Sequence, residues 1–94
     1  MYKIRLNDGT EFSTQYCAEL RDKLAIRLLS ELDFMQIAQI FNDAEKTQTI
    51  TYIYGSMQDV HEGYTLLRVV DASYDGEYII SLRRAANGTV TQTL

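Results

Sequence analysis

The N-terminal segment alternates apolar and polar residues, which is the pattern of a half-buried strand. The apolar members are Tyr2, Ile4 and Leu6. The pair Asp8-Gly9 follows, and such pairs tolerate positive φ and suit tight turns. Residues 10–17 are again rich in strand-forming types. The sequence therefore predicts a β-hairpin at the start of the chain.

Residues 18–29 fit two patterns. Leu20, Leu24 and Leu28 recur at helical spacing, and local propensity slightly favours a helix. Leu24, Ile26 and Leu28 also alternate with small or polar neighbours, as they would in a strand. From the residues alone, both interpretations stay open.

A helix is predicted over about residues 31–43. Its apolar residues fall at positions i, i+3, i+4 and i+7, namely Phe34, Ile37, Ala38 and Phe41. Ser30 followed three residues later by Asp33 resembles a capping box, so we expect the helix to start there.

From Thr47 onwards the period of the apolar pattern changes to two, which predicts strands. We expect strands over residues 47–54, 64–70 and 77–83, with a turn at Asp75-Gly76 between the last two. Asn87-Gly88 predicts a further turn that folds residues 89–94 back as a last short strand.

The predicted fold class is α+β. We expect an antiparallel sheet meander of about six strands, with one amphipathic helix packed on one face. The 94 residues correspond to a single domain over residues 1–94, with one hydrophobic core.

Charge narrows the classes of partner. The net charge is −4, from 13 acidic and 9 basic residues, so we expect no direct nucleic-acid partner, because an acidic chain repels phosphate. Residues 43–77 contain seven carboxylates against Lys46 and Arg68, a local net of −5. The seven are Asp43, Glu45, Asp59, Glu62, Asp71, Asp75 and Glu77. This segment is either a solvated edge or an acidic face for a basic partner.

Few residues offer chemistry. Cys17 is the only cysteine, so no internal disulfide is predicted, and no base accompanies it in sequence. His61 is the only histidine and is predicted to lie on the surface in a polar turn. Asp59 could share an ion with it, but further ligands at a fixed spacing are missing. We expect no catalytic residues, no metal and no cofactor.

Tyrosine is the unusual feature of the composition, with seven tyrosines and no tryptophan. Tyrosine gives a large, rigid contact area with a polar tip, which suits binding surfaces as well as half-buried strands. The residues predicted to contact a partner combine these rings with nearby carboxylates. They are Tyr52, Tyr54, Asp59, Glu62, Tyr64, Asp71, Tyr74 and Asp75.

Three stretches carry a resemblance to a known group of proteins. They are the opening residues 2–10 (YKIRLNDGT), the helical region from Leu32-Asp33-Phe34 to Ile40-Phe41-Asn42-Asp43, and Glu62-Gly63-Tyr64-Thr65-Leu66-Leu67. In this order they resemble small uncharacterised phage- and prophage-encoded proteins of gut Firmicutes, often found near tail genes. The resemblance implies that Leu24–Leu29 is a strand, and it carries over no functional residue.

These observations predict a non-enzymatic phage-type accessory protein that acts by protein–protein binding. It would be either a virion or tail component, or an inhibitor of a host defence system, as anti-CRISPR proteins are. The alternative is a small-molecule or nucleotide-binding module with its site at a dimer interface. Exposed edge strands predict a homodimer. No signal peptide or membrane span is predicted, so we expect the protein in the bacterial cytoplasm or in the virion.

Overall fold

The computed structural model describes residues 2–74 and 76–85. Its strands are β1 (Tyr2–Arg5), β2 (Glu11–Leu20), β3 (Lys23–Leu29), β4 (Thr49–Tyr54), β5 (Met57–Glu62), β6 (Leu66–Tyr74) and β7 (Glu77–Arg83). Its helices are α1 (Phe34–Phe41) and α2 (Ala44–Thr47). Among the described residues, no helix is both long and apolar enough to cross a membrane.

The seven strands form one sheet in the order β5-β4-β1-β2-β3-β7-β6, and every neighbouring pair is antiparallel. The predicted α+β class with an antiparallel sheet is confirmed. The finer prediction is wrong in three respects. The described residues contain a seventh strand, β5, and a second helix, α2, and the order is not a simple meander because β4 lies beside β1 and β7 beside β3. The strand predicted for residues 89–94 lies outside the described residues.

Residues 18–29 belong to two strands, which confirms the expectation of a strand over Leu24–Leu29. β3 lies between β2 and β7, and its alternating residues Leu24, Ile26 and Leu28 are completely buried. The turn before it places Arg21 at a φ of 59°. Burial of a period-two apolar face between two neighbouring strands outweighs the small helical preference of the isolated segment.

Helix α1 begins later than predicted. Asp33, and not Ser30, is the N-cap residue: its side chain accepts a hydrogen bond from the Gln36 amide at 2.9 Å, and the Gln36 side chain accepts one from the Asp33 amide at 3.0 Å. This reciprocal pair is a capping box. The helix ends at Asn42 because Asp43 then caps α2, accepting from the amides of Glu45 and Lys46. The helix predicted over 31–43 therefore corresponds to α1 alone, which is shorter than expected, and α2 follows beyond the predicted range.

The hydrophobic core lies on one face of the sheet, which we call the inner face, and α1 covers part of it. Ile37 and Phe41 of α1 are completely buried, and the Phe41 ring lies 5.6 Å from the Phe12 ring of β2. The hydroxyl of Tyr78 on β7 donates to the Leu32 carbonyl at 2.6 Å. These contacts fix the chain that leads into α1 against the sheet.

The sheet is strongly coiled, because its two edge strands are consecutive in the chain. Only residues 63–65 connect β5 to β6, and four residue steps reach at most about 14 Å. A flat sheet would hold its outermost strands about 29 Å apart, at about 4.8 Å per step. The usual twist of about 20–25° per strand accumulates over six steps and brings the end of β5 to the start of β6. Arg84, just after β7, donates from its Nε to the Glu62 carbonyl at 3.1 Å across this closure.

Candidate functional site

Coiling of the sheet brings four polar or aromatic residues together where its edges meet. We call Glu19, His61, Tyr64 and Arg84 the closure cluster. His61 Nδ1 lies 2.8 Å from Glu19 Oε1, and an Arg84 guanidinium nitrogen lies 3.7 Å from Glu19 Oε2. The Arg84 guanidinium also lies over the Tyr64 ring, 4.8 Å from its centroid, in a cation–π contact. The cluster therefore joins β2, β5, the β5–β6 connection and the end of β7.

The electrostatics of the closure cluster centre on the Glu19 carboxylate. Its interactions with the Tyr64 hydroxyl and with His61 hold the pKa of Glu19 below its usual range. Tyr64 is completely buried, and burial together with the nearby Glu19 charge raises the pKa of Tyr64 to about 12. The hydroxyl interacts with the carboxylate without the geometry of a regular hydrogen bond. The protonated phenol beside the ionised carboxylate is thus the stable state near neutral pH.

His61 is buried, so the prediction of a surface histidine in a polar turn is wrong. It lies on strand β5, opposite Ile50 of β4, and only 9% of its surface is exposed. A histidine oriented by a carboxylate is an arrangement that general bases use, but the other ring nitrogen must then reach the substrate. Here Nε2 is enclosed, and the described part of the chain forms no pocket beside it. In this conformation the His61–Glu19 pair ties β5 to β2.

Cys17 is a buried core residue. Only 7% of its surface is exposed, and it lies on the inner face opposite Ile26 of β3. Burial, with smaller contributions from the charges of Asp59 and Glu19, raises the pKa of the Cys17 thiol to about 12. Since the thiolate is the reactive form, the thiol is a weak nucleophile near neutral pH.

A second group of side chains stays open to solvent on the inner face of β1, β4 and β5. We call Tyr2, Tyr52, Tyr54 and Met57 the tyrosine surface. The strand register places Tyr2 opposite Tyr54, and Tyr54 opposite Met57. Tyr2 and Met57 are 48% and 55% exposed, and the rings of Tyr52 and Tyr54 are half-buried. This surface is the largest group of solvent-accessible tyrosines in the described part of the chain.

The rings of the tyrosine surface hold one another in place. Tyr52 lies 4.9 Å from Tyr54 and 6.2 Å from Tyr2, the latter in an edge-to-face arrangement, measured between ring centroids. The Tyr54 hydroxyl donates to Asp59 Oδ2 at 3.1 Å, and this hydrogen bond raises the pKa of Tyr54. Burial raises the pKa of Tyr52. Such offset and edge-to-face ring pairs are favourable, so the surface is ordered before any partner arrives.

The structure brings three of the eight predicted partner-contacting residues together. Tyr52, Tyr54 and Asp59 all belong to or border the tyrosine surface. Glu62 and Asp71 lie at opposite edges of the sheet, on β5 and β6. Of the other three, Tyr64 is completely buried, Tyr74 is the last residue of β6, and Asp75 lies outside the described residues.

Sequence reasoning missed Tyr2 and Met57 as members of this surface. Tyr2 was assigned to the N-terminal hairpin, and nothing in its neighbourhood indicated that β1 pairs with β4. Met57 belongs to β5, the strand that the pattern did not reveal. The period-two pattern that residues 2–6 and 49–54 share was the only signal that could have suggested the pairing.

The acidic segment 43–77 does not form one face. Asp43 and Glu45 lie at the start of α2, whereas Asp59 and Asp71 lie on opposite edge strands. Glu77 lies 3.8 Å from an Arg27 nitrogen on the neighbouring strand, so its charge is partly balanced. These carboxylates therefore lack the dense array that an acidic mimic of nucleic acid needs.

Comparisons with protein-family models, with curated proteins and with solved structures find no match to this chain. The functional interpretation therefore rests on the residues and their geometry.

Proposed function

We propose that this protein acts by binding another protein through the tyrosine surface. The observation that carries the proposal is the contiguous set of exposed or half-exposed rings on β1 and β4, flanked by Met57 and Asp59 on β5. Tyrosine and methionine are enriched at protein–protein interfaces, where large rigid side chains give contact area.

The order of this surface favours binding. Immobilising a flexible side chain at an interface costs about 0.5–1.5 kcal/mol, and that cost is smaller where the side chain is already fixed. The Tyr54 hydroxyl is held by Asp59, and the Tyr52 ring is held between two others. Asp59 also adds an acidic edge, which suits a partner with a basic or hydrogen-bond-donating rim.

The resemblance to phage and prophage proteins supplies the biological setting of this proposal. The protein would be a phage-type accessory protein, and its partner would be either a phage structural protein or a host defence protein. The scattered carboxylates of residues 43–77 favour the structural partner, because charge mimicry requires a continuous acidic surface.

The two settings are separated by locating the protein in purified phage particles. We expect mass spectrometry of particles purified by density gradient to detect the protein in a fixed ratio to the tail proteins. Presence in infected cells but not in particles would instead support the host-directed inhibitor.

The tyrosine surface is tested by a binding experiment with the identified partner. Tyr2→Ala and Tyr54→Ala should each weaken binding about 10-fold or more, as loss of an interface tyrosine commonly does. Met35→Ala is the control, because Met35 is 63% exposed on α1 and lies outside the tyrosine surface. Unchanged affinity in both tyrosine variants, with their folding verified by circular dichroism, would refute this surface as the binding site.

The alternative function, a nucleotide or small-molecule module, would need a groove formed between two copies of the chain. It predicts an increase in melting temperature with a nucleotide panel at millimolar concentration. The tyrosine-surface variants and the nucleotide panel are independent measurements, so each function can fail without deciding the other.

A further inference from the structure

The outer side of the sheet, opposite the core, carries an unusual number of apolar residues on strands β2, β3, β7 and β6. We call this set the outer apolar face: Tyr16, Ala18, Leu20, Ala25, Leu29, Leu66, Val69 and Ile79. Five of them are large and exposed, with 42% of Tyr16, 50% of Leu20, 39% of Leu29, 45% of Leu66 and 47% of Val69 accessible. No helix or loop in the described ranges covers them. Large exposed apolar patches commonly mark interaction sites.

The strand register arranges this face in rows that alternate in size. One row consists of Ala18, Ala25, Ser81 and Val69, and is mostly small. The next row consists of Tyr16, Arg27, Ile79 and Asp71, and is mostly large. A second face that presents its large row to this small row, and its small row to this large row, would pack closely. The face therefore has a shape that complements a copy of itself.

Charge along the face points to the same arrangement. The row at one end contains Lys23 and Arg83, and the row at the other end contains Glu77, with Asp71 in the row beside it. Asp22 pairs with Arg83, and Arg27 with Glu77, so the excess charge at each end is modest. Lys23 and Asp71 form no ion pair within the described residues. The net charge is thus positive at the Lys23 end of the face and negative at the Glu77 end.

We propose that two copies of this chain form a homodimer by packing their outer apolar faces together. A twofold axis lying between the sheets and parallel to the rows reverses the order of rows in one copy relative to the other. This operation places the small row opposite the large row, Tyr16 over Ala18 and Ile79 over Ser81. The same operation places the Lys23 end of each copy opposite the Glu77 end of its partner. The interface is isologous, as in most homodimers.

The face is large enough for a specific dimer. Four strands about 4.8 Å apart and four rows about 6.7 Å apart cover roughly 500 Å² in projection. The accessible area is larger because side chains make the surface uneven. Incidental contacts mostly bury less than about 400 Å² per partner, and standard interfaces about 800 Å². We therefore expect a dimer of moderate, micromolar affinity.

Sedimentation velocity of the full chain tests the proposal, at concentrations from about 0.1 µM to about 1 mM, which bracket micromolar association. Val69→Asp and Ala25→Arg each place a charge opposite a like charge of the other copy, on Asp71 and Arg27 in the facing row, and should raise the dimer dissociation constant at least about 10-fold. Lys23→Glu should also weaken the dimer, and we expect it to leave the fold intact because Lys23 is exposed. Val60→Asp is the matched control: Val60 is a 57% exposed valine on the other edge strand, β5. It should change the constant by no more than about twofold.

Three results would overturn the proposal. The first is a monomer mass at every concentration. The second is a dimer that Val69→Asp, Ala25→Arg and Lys23→Glu all leave unchanged. The third is a dimer that Val60→Asp dissociates, which would place the interface at the β5 edge. Circular dichroism of each variant verifies that the fold is retained, and Lys23→Glu decides the matter if the two interface variants do not fold.

Discussion

Tyr64 links the closure cluster to the stability of the fold at alkaline pH. Its pKa of about 12 in the folded protein exceeds the value of about 10 expected when the chain unfolds. A group with a raised folded-state pKa contributes stability that is fully present below its unfolded pKa. That stability is lost as the pH rises from the unfolded value to the folded value. The Tyr64 contribution is therefore intact at pH 9 and declines from about pH 10 upwards.

The size of the loss follows from the two pKa values. With 10 for the unfolded chain and about 12 for the folded protein, ionisation of Tyr64 removes about 1.4 kcal/mol of unfolding free energy by pH 11. By pH 12 the loss is about 2.3 kcal/mol. The cause is physical: ionising the phenol places a second negative charge in a buried site, next to Glu19.

Tyr64→Phe removes this titration and keeps the ring under Arg84. Urea unfolding followed by circular dichroism at pH 9 and pH 11 gives the free energy of unfolding of each protein. We expect the wild type to lose about 1.3 kcal/mol more than Tyr64→Phe over this interval. Tyr16→Phe is the control, because it removes an exposed phenol on the opposite face of the sheet from the closure cluster, and it should behave as the wild type does. Equal pH dependence in wild type and Tyr64→Phe would refute the assignment of Tyr64 as a buried phenol beside an ionised carboxylate.

Three further substitutions test other parts of the structure. Phe41→Ala should cost about 3–5 kcal/mol of unfolding free energy, because Phe41 is completely buried. Met35 is exposed on the same helix, so Met35→Ala should cost less than about 0.5 kcal/mol. Similar losses of the two variants in thermal or urea unfolding would mean that α1 is misplaced. Glu19→Gln should reduce the loss of stability as the pH falls below about 5. Because the pKa of Glu19 is lowered in the folded protein, its carboxylate stabilises the fold at pH values above its unfolded-state pKa, and this stability is lost when the carboxylate is protonated. The same acid dependence of the unfolding free energy in variant and wild type would contradict this. Gly76→Ala should destabilise the fold by about 1–2 kcal/mol, because Gly76 has a φ of 78° and a Cβ there would lie 3.3 Å from the Ser30 carbonyl oxygen. An unchanged melting temperature would contradict the described β6–β7 turn.

Local signals in the sequence were sufficient for much of the fold. The Asp8-Gly9 turn and the alternation around it predicted the β1–β2 hairpin, and the period-two pattern of residues 77–83 predicted β7. These elements depend on neighbours a few residues away. Helix α1 was predicted for the same reason, although the choice between Ser30 and Asp33 as its N-cap depends on which side chain finds a free amide.

The missed strand β5 shows where local signals fail. Its residues, Met57 to Glu62, are mostly polar and exposed because β5 is an edge strand, so they carry little apolar alternation. Only His61 is buried, and it is buried because the coiled sheet brings β2 against it. The strand that buries His61 lies three places away in the sheet, so the residues next to His61 in the sequence give no signal of its burial.

The functional surfaces were unpredictable for a related reason. The tyrosine surface requires that β1 pair with β4, and the outer apolar face requires that β7 lie between β3 and β6. Both depend on contacts between segments about 50 residues apart, whereas periodicity reports only which face of one strand is apolar. Tyr64 illustrates the consequence: its residue type suited a binding surface equally well, and only the closure of the sheet decided that it is buried.

Coiling of the sheet separates the stabilising groups of this protein from its two proposed binding surfaces. The closure cluster lies where β5 meets β6, and it contains the only histidine of the sequence together with Glu19 and Arg84. The tyrosine surface remains on the inner side of β1, β4 and β5, and the outer apolar face lies on the opposite side of β2, β3, β7 and β6. Because the two surfaces share no residue and face opposite sides of the sheet, a dimer formed through the outer apolar face would leave both tyrosine surfaces free. Such a dimer would bind two partner molecules, and each substitution that separates the copies should leave the affinity of a single tyrosine surface unchanged.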